Sequence, residues 1–151
     1  MKAYSVYVGL ILTCTVSCAA SGAIYFVAPD AAADNAGTRQ APISLKRANK
    51  LLKPGDTAIL LDGTYTHTPI SPARSGANGK SITYRAANRH KAIFTEGRSA
   101  PKFRGAASIV VSHRSHITIE GIKSVGVKRW LIGVEASRIT LSDCRFEKST
   151  G

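Results

Sequence analysis

Two stretches of this chain superimpose at an offset of 22 residues. The run Ser115-His116-Ile117-Thr118-Ile119-Glu120-Gly121-Ile122-Lys123 lies over Ser137-Arg138-Ile139-Thr140-Leu141-Ser142-Asp143-Cys144-Arg145. Serine then falls on serine, Ile117 on Ile139, Thr118 on Thr140, Ile119 on Leu141 and Lys123 on Arg145. A period just above twenty with strand-like alternation points to a parallel β-solenoid, because one coil of that length cannot bury its own apolar face. Stacked coils lie about 4.8 Å apart, pair their backbones and align like side chains. Ile117 and Ile119 then point inward with Ile139 and Leu141 stacked on them, and Cys144 packs as a small hydrophobe under Ile122. His116, Thr118 and Glu120 point outward beside Arg138, Thr140 and Ser142. An earlier pair, Ile59-Leu60-Leu61 and Ile82-Thr83-Tyr84, repeats at an offset of 23. A leucine-rich repeat has a similar period, but its Leu-x-x-Leu-x-Leu frame is missing.

The rest of the chain agrees with an all-β body. Ile24-Tyr25-Phe26-Val27 reads as a strand, and Pro29 to Thr38 as loop. From Ser44, apolar Leu45, Ala48, Leu51 and Leu52 recur at helical spacing with Lys46, Arg47, Asn49 and Lys50 between them. Ser44 suits an N-cap, and Pro54-Gly55 stops the helix, so a cap helix is expected over about 44–53. Beyond it come only short apolar runs, around Ile59, Ile82, Ile93, Ile109, Ile117, Leu131 and Ile139, punctuated by Gly, Asn, Asp and Ser. An open solenoid end is a templating edge, and the helix just before the first coil is well placed to shield it. Coils are expected from about residue 57 onward.

Residues 1–23 read as an address. Met1 and Lys2 make a positive start, an apolar core runs from Val6 to Val16, and small residues follow from Ser17 to Ala23. That order is a secretory signal peptide, with cleavage between Ala20 and Ile24. The apolar core is short for a transmembrane helix, so no integral span is expected after cleavage. An uncleaved anchor is one alternative; a lipid anchor on Cys18 is another, since Thr15-Val16-Ser17 before it is a loose lipobox without its leading Leu. Export to a secreted or periplasmic location follows. Cleavage leaves Cys144 as the one thiol, so neither a disulfide nor a cysteine zinc site is expected. Of the 151 residues, 21 are Lys or Arg and 9 are Asp or Glu, for a net charge of +12. For an exported protein, the polyanions at hand are acidic polysaccharides and lipid head groups, and nucleic acid is not an expected partner.

The N-terminal half carries motifs in a recognisable order. They are Tyr25-Phe26-Val27-Ala28-Pro29, Asn35-Ala36-Gly37-Thr38, the short helix, Lys53-Pro54-Gly55-Asp56-Thr57, Asp62-Gly63-Thr64-Tyr65 and Gly79-Lys80-Ser81-Ile82-Thr83-Tyr84. This series resembles the start of secreted right-handed parallel β-helix proteins of the pectate lyase-like superfamily. Ala36 and Ser81 replace the prolines usual in that pattern, and both are loop substitutions. The resemblance covers residues 24–95, and the coils to residue 151 agree with it. It implies a right-handed parallel β-helix with an N-terminal capping α-helix. It also implies activity on acidic polysaccharide, as in lyases that cleave uronate chains by β-elimination, with a monomer as the complete protein. Such lyases pair a Lys or Arg base with a cation, often Ca2+, that neutralises the uronate carboxylate.

The chain itself displays no such machinery. Its acids are scattered singly, and no paired carboxylates of glycosidase type stand out. The catalytic base and metal ligands are therefore expected beyond residue 151, and the chain, which stops at Ser149-Thr150-Gly151 within a turn, reads as the N-terminal portion of a longer protein. No cofactor or metal site is expected within residues 1–151; Ca2+ enters only by resemblance, for the longer protein. The candidate substrate-binding surface is basic. Stacking sets His116 beside Arg138 and Lys123 beside Arg145, a ladder suited to uronate carboxylates. Trp130 reads as core filling, with stacking on a sugar ring as the alternative. A non-catalytic β-helix module that binds carbohydrate or a surface, and a β-helix glycoside hydrolase or epimerase, remain open alternatives.

Overall fold

The computed structural model describes residues 22–32, 34–95, 107–127 and 129–147. Cys18, nearly all of the expected leader, Lys128 and the closing Ser149-Thr150-Gly151 turn lie outside the described residues.

Successive strands visit three sheets in turn, and every pairing between named strands is parallel. The largest sheet is built from β1 (Ile24–Ala28), β2 (Ile43–Ser44), β3 (Thr57–Leu60), β5 (Ile82–Ala86), β8 (Ser115–Glu120) and β11 (Ser137–Ser142). Its order is β11-β8-β5-β3-β1-β2. The second sheet contains β4 (Gly63–Thr66), β6 (Ala92–Thr95), β9 (Lys123–Val125) and β12 (Arg145–Glu147). The third pairs β7 (Ala107–Val110) with β10 (Arg129–Ile132), and Ile70 bridges to Ile109 at its start. This is an all-β parallel β-helix, and the one helix among the described residues, α1 (Leu45–Leu51), follows the edge strand β2.

Register explains the core. In the largest sheet, Ala58, Tyr84, Ile119 and Leu141 form one column, and Ile82, Ile117 and Ile139 form another. Tyr84, Ile82, Ile117 and Ile119 are fully buried. Each buried Ile contributes about 2–3 kcal/mol of transfer free energy. Leu141 is 37 % exposed because it belongs to the outermost described coil. In the second sheet, Tyr65, Phe94, Ser124 and Phe146 share a column. The Tyr65 and Phe94 rings stack with centroids 5.1 Å apart.

The 22-residue offset holds between β8 and β11, with Ile117 on Ile139 and Ile119 on Leu141. The expected 23-residue offset between the earlier coils does not. Ile59 pairs with Arg85, not Ile82, and Ile82 stacks on Ile117. Thr57 pairs with Thr83 and Thr83 with Thr118, so those two coils are 26 and 35 residues long. The physical reason is parity. An odd offset would have turned Ile59 and Ile82 to the same face, whereas the inward positions of β3 are Ala58 and Leu60. Loops of unequal length between strands absorb the difference.

Corners repeat as backbone, not as residue type. His113 and Glu135, His116 and Arg138, and Gly121 and Asp143 each sit one 22-residue coil apart, and all six have φ between +50° and +73°. A non-glycine residue in this region costs on the order of 1–2 kcal/mol, so the stacked coils impose these bends.

The helix caps the interior as expected, although it is shorter. Ser44 Oγ accepts from the Arg47 N–H at 3.4 Å, and Leu45, Ala48 and Leu52 are buried. Leu52 leaves helical geometry at ψ 136°, two residues before Pro54, a residue that disfavours helical backbone just ahead of itself. Asp56 closes the turn by accepting from the N–H groups of Lys53 at 2.9 Å and Ala23 at 2.8 Å.

Candidate functional site

The four residues of the expected ladder occupy two rungs on different sheets. His116 and Arg138 lie side by side where the chain enters the largest sheet, within the pairing of β8 with β11. Lys123 pairs with Arg145 at the start of the second sheet. The Gly121 and Asp143 corners stand between them, so the two rungs do not form one continuous ladder.

The rungs differ in what they offer a ligand. Glu147 lies within reach of both cations of the second rung: Lys123 Nζ is 2.9 Å from its Oε2, and Arg145 Nε contacts its Oε1. The hydrogen bond from Lys123, with the charge of Arg145 beside it, holds the Glu147 carboxyl below the usual carboxylate range. This rung does grip a carboxylate, but the carboxylate is its own. In the first rung, His116 is half-buried under a neighbouring loop. Ser75 Oγ accepts from the Ser115 N–H at 3.1 Å, and Gly76 approaches so closely that a Cβ there would sit 2.3 Å from the His116 carbonyl oxygen. The His116 Nδ1 is 3.2 Å from Ser115 Oγ, while Nε2 is buried without a hydrogen-bond partner among the described residues. Arg138 alone of the four is exposed with no ion pair among the described residues.

The outer surface of the largest sheet holds a pattern of which the 22-residue repeat reveals only the last two members. Thr57, Thr83, Thr118 and Thr140 stand in one column across four coils. The next outward column runs Ile59, Arg85, Glu120 and Ser142. With Arg138 at its margin, this face presents hydroxyls and cations in rungs set by the strand spacing of about 4.8 Å. Hydroxyl groups can exchange hydrogen bonds with sugar hydroxyls, and guanidinium can hold a carboxylate. Unequal coil lengths hid Thr57 and Thr83, since no constant offset aligns them. The alternation of Thr with apolar neighbours in each strand was the available signal.

Other basic and aromatic side chains nearby are engaged elsewhere. Arg114 Nε donates to the Pro72 carbonyl oxygen at 2.9 Å, and His113 Nδ1 lies 2.9 Å from Glu135 Oε2. His90 has Nε2 2.7 Å from the Asp143 carbonyl oxygen. Trp130 is 40 % exposed and its ring centroid lies 5.4 Å from that of Phe146. One coil earlier, Ser108 and Ser124 occupy the equivalent places and share a buried 2.6 Å hydrogen bond. Trp130 is thus packed within a coil, and its exposure reflects its place in the outermost described one.

Among the described residues, no three His, Cys, Asp or Glu side chains converge. Asp62 accepts from Asn88, Asp143 pairs with Arg89, and Asp56 is buried on backbone donors. Committed in this way, these described carboxylates do not converge on a Ca2+ site. Among the described residues no helix is long and apolar enough to cross a membrane.

The fold and its outward face define a parallel β-helix of the kind found in polysaccharide-active proteins. The chain is similar to the pectate lyase Pel9A, with 25% identity and a TM-score of 0.62 over 77% of this chain and 32% of that one. It is also similar to a rhamnogalacturonan lyase, at 23% identity and TM-score 0.58 over 70% of this chain and 29% of that one. A lacto-N-biosidase of family GH136 from Eubacterium ramulus gives TM-score 0.69 at 17% identity, covering 86% of this chain and 28% of its own. At 23% and 17% identity the last two likenesses speak for the fold alone. Among curated proteins, the uncharacterised YwoF of Bacillus subtilis (strain 168) is 29% identical over 104 residues, 68% of this chain. This chain spans 22% of that protein's length. No family model matches.

Proposed function

We propose that this chain is the N-terminal portion of a secreted β-helix protein that acts on an acidic, uronate-containing polysaccharide by β-elimination. The likeness to pectate lyase Pel9A, which extends over 77% of the chain, carries this reading. The net charge of +12 supports it by favouring a polyanionic substrate. In this reading the described coils hold the polymer, and the catalytic base and any Ca2+ ligands belong to coils beyond residue 151. Arg138 supplies the open cation, and the threonine column with Arg85 supplies hydroxyl and guanidinium contacts along the sheet. His116 borders that cation on the neighbouring coil. Lys123 and Arg145 take part when Glu147 is released from them.

Electrophoresis of the 151-residue chain through gels containing polygalacturonate or neutral dextran tests this. Retardation by polygalacturonate alone, relieved by salt, is the expected result. Equal migration in the two gels would overturn it. The chain should also release no ultraviolet-absorbing unsaturated uronate from polygalacturonate. Its release would place the base within these residues.

A further inference from the structure

The connections that carry the chain from the third sheet into the largest one differ in length. From β7 to β8 the chain takes only residues 111–114, and from β10 to β11 only 133–136. From Ile70, bridged to Ile109 of β7, to the start of β5 it takes 71–81. The two short connections show how little chain the winding requires. The surplus in 71–81 serves something else, and loops held on a rigid scaffold are where ligand contacts concentrate.

The surplus is firmly held. Arg114 Nε donates to the Pro72 carbonyl oxygen at 2.9 Å, the Ser115 N–H donates to Ser75 Oγ at 3.1 Å, and the Gly76 N–H donates to the Ser115 carbonyl oxygen at 2.9 Å. At its far end Ala77 and Lys80 exchange backbone hydrogen bonds of 3.0 and 2.9 Å. The loop therefore leans along the solenoid axis onto the next coil, over His116. A loop already ordered loses little conformational entropy when a ligand arrives.

Its charge is one-sided. It carries Arg74 and Lys80, both exposed, and no acid. Arg74 uses one guanidinium nitrogen on the Lys50 carbonyl oxygen at 2.6 Å, which leaves further N–H groups for a ligand. Lys80 has no ion pair among the described residues. Strands β5, β8 and β11 are successive neighbours, so Lys80 just ahead of β5 and Arg138 in β11 stand two strand spacings, about 10 Å, apart along the axis. His116 lies on the coil between them. Glu135, the acid of the last connection, is occupied by His113 at 2.9 Å.

We propose that 71–81 is a polyanion-binding loop, and that Arg74, Lys80 and Arg138 together hold one uronate polymer lying along the solenoid axis across successive coils. The inference rests on the polysaccharide reading above and adds to it the residues, the direction of the polymer and a minimum ligand length. A single carboxylate cannot span about 10 Å, so a small anion reaches only one of the separated cations. A uronate polymer presents carboxylates at intervals along its length, and its linked contacts reinforce one another.

Retardation of the chain in polygalacturonate gels, with galacturonate oligomers as competitors, tests it. At equal total carboxylate, octagalacturonate should compete at least about fivefold better than digalacturonate, because only the longer chain reaches from Lys80 to Arg138. Arg74→Gln/Lys80→Gln should weaken retardation about tenfold, while the charge-matched Lys91→Gln/Arg129→Gln weakens it by less than about twofold. Lys80→Gln alone breaks no ion pair among the described residues and should still cost about threefold, which separates a lost ligand contact from a loosened loop. Equal losses in the two double variants, no loss with Lys80→Gln, or equal competition by the two oligomers would each overturn the proposal. If Arg138→Ala weakens retardation and the loop variants do not, the polysaccharide reading stands and this extension of it falls. If the unaltered chain is not retarded at all, both fall.

Discussion

The phenol of Tyr84 donates to the side-chain oxygen of Asn49 at 3.0 Å, joining the interior of β5 to the cap helix across 35 residues of sequence. The same oxygen accepts from the Ser71 N–H at 3.1 Å, and the Asn49 amide donates to the Pro69 carbonyl oxygen at 2.9 Å. Asn49 therefore pins both the helix and the 69–71 segment to the first coils. Asn49→Leu leaves three polar groups without a partner and should lower stability by roughly 3 kcal/mol, while Tyr84→Phe should cost about 1 kcal/mol. Urea denaturation midpoints read the ranking. Equal effects would mean that Asn49 does not act as the junction.

The stacking of the coils makes a graded prediction along one core. Ile117 is fully buried between Ile82 and Ile139, whereas Leu141 is 37 % exposed. Ile117→Ala should cost about 3 kcal/mol or more, and Leu141→Ala about 1 kcal/mol, in the same denaturation experiment. A larger loss at Leu141 would contradict the inward columns described above.

Alkaline titration probes the two buried tyrosines. Burial raises the pKa of Tyr84, and burial with the nearby Asp62 charge raises that of Tyr65, both well above the ordinary tyrosine value of about 10. Because the folded-state values are raised, the stability they supply is complete below the unfolded value. It is then lost progressively as pH climbs above it, since only the unfolded chain can release those protons. Tyrosinate absorbance from these two residues should appear together with loss of β-sheet circular dichroism. Ionisation of both in a still-folded protein would contradict their burial.

The two cation rungs should respond differently to substitution. Arg138→Ala removes the open cation and should weaken retention on a polygalacturonate matrix by about threefold, while Arg145→Ala should change it less because Glu147 already engages that side chain. Glu147→Gln frees Lys123 and Arg145 and should strengthen retention. Unchanged retention for Arg138→Ala would leave that residue as ordinary surface. Weaker retention for Glu147→Gln would show that the acid organises the rung and does not compete for it.

The parts of the fold legible in sequence are those whose causes are local or strictly periodic. Ser44 at the helix start, the apolar spacing of Leu45, Ala48 and Leu52, and the Ile117-to-Ile139 repeat can each be read within a short window. The Ile59–Arg85 pairing could not, because its register depends on loops whose path is set by packing. Asn49 was read as one of the polar residues between apolar helix positions. Nothing within its own helix announces that Tyr84 and Pro69 will meet it. The 22-residue repeat sets His116 beside Arg138, yet the cover that Ser75 and Gly76 lay over His116 comes from 40 residues away.

Alternation and repeat length by themselves determined that the chain winds into stacked parallel strands with a helix at one end, since burying one face of each strand leaves few other solutions. Which cations remain free was decided only by tertiary structure. Lys123 and Arg145 look like open ligand contacts in the linear chain, and coiling brings Glu147 onto both. The reason is range: hydrophobic periodicity acts on every residue of a strand, whereas a charge is satisfied or left open by whichever single side chain the neighbouring rung sets within a few ångströms of it.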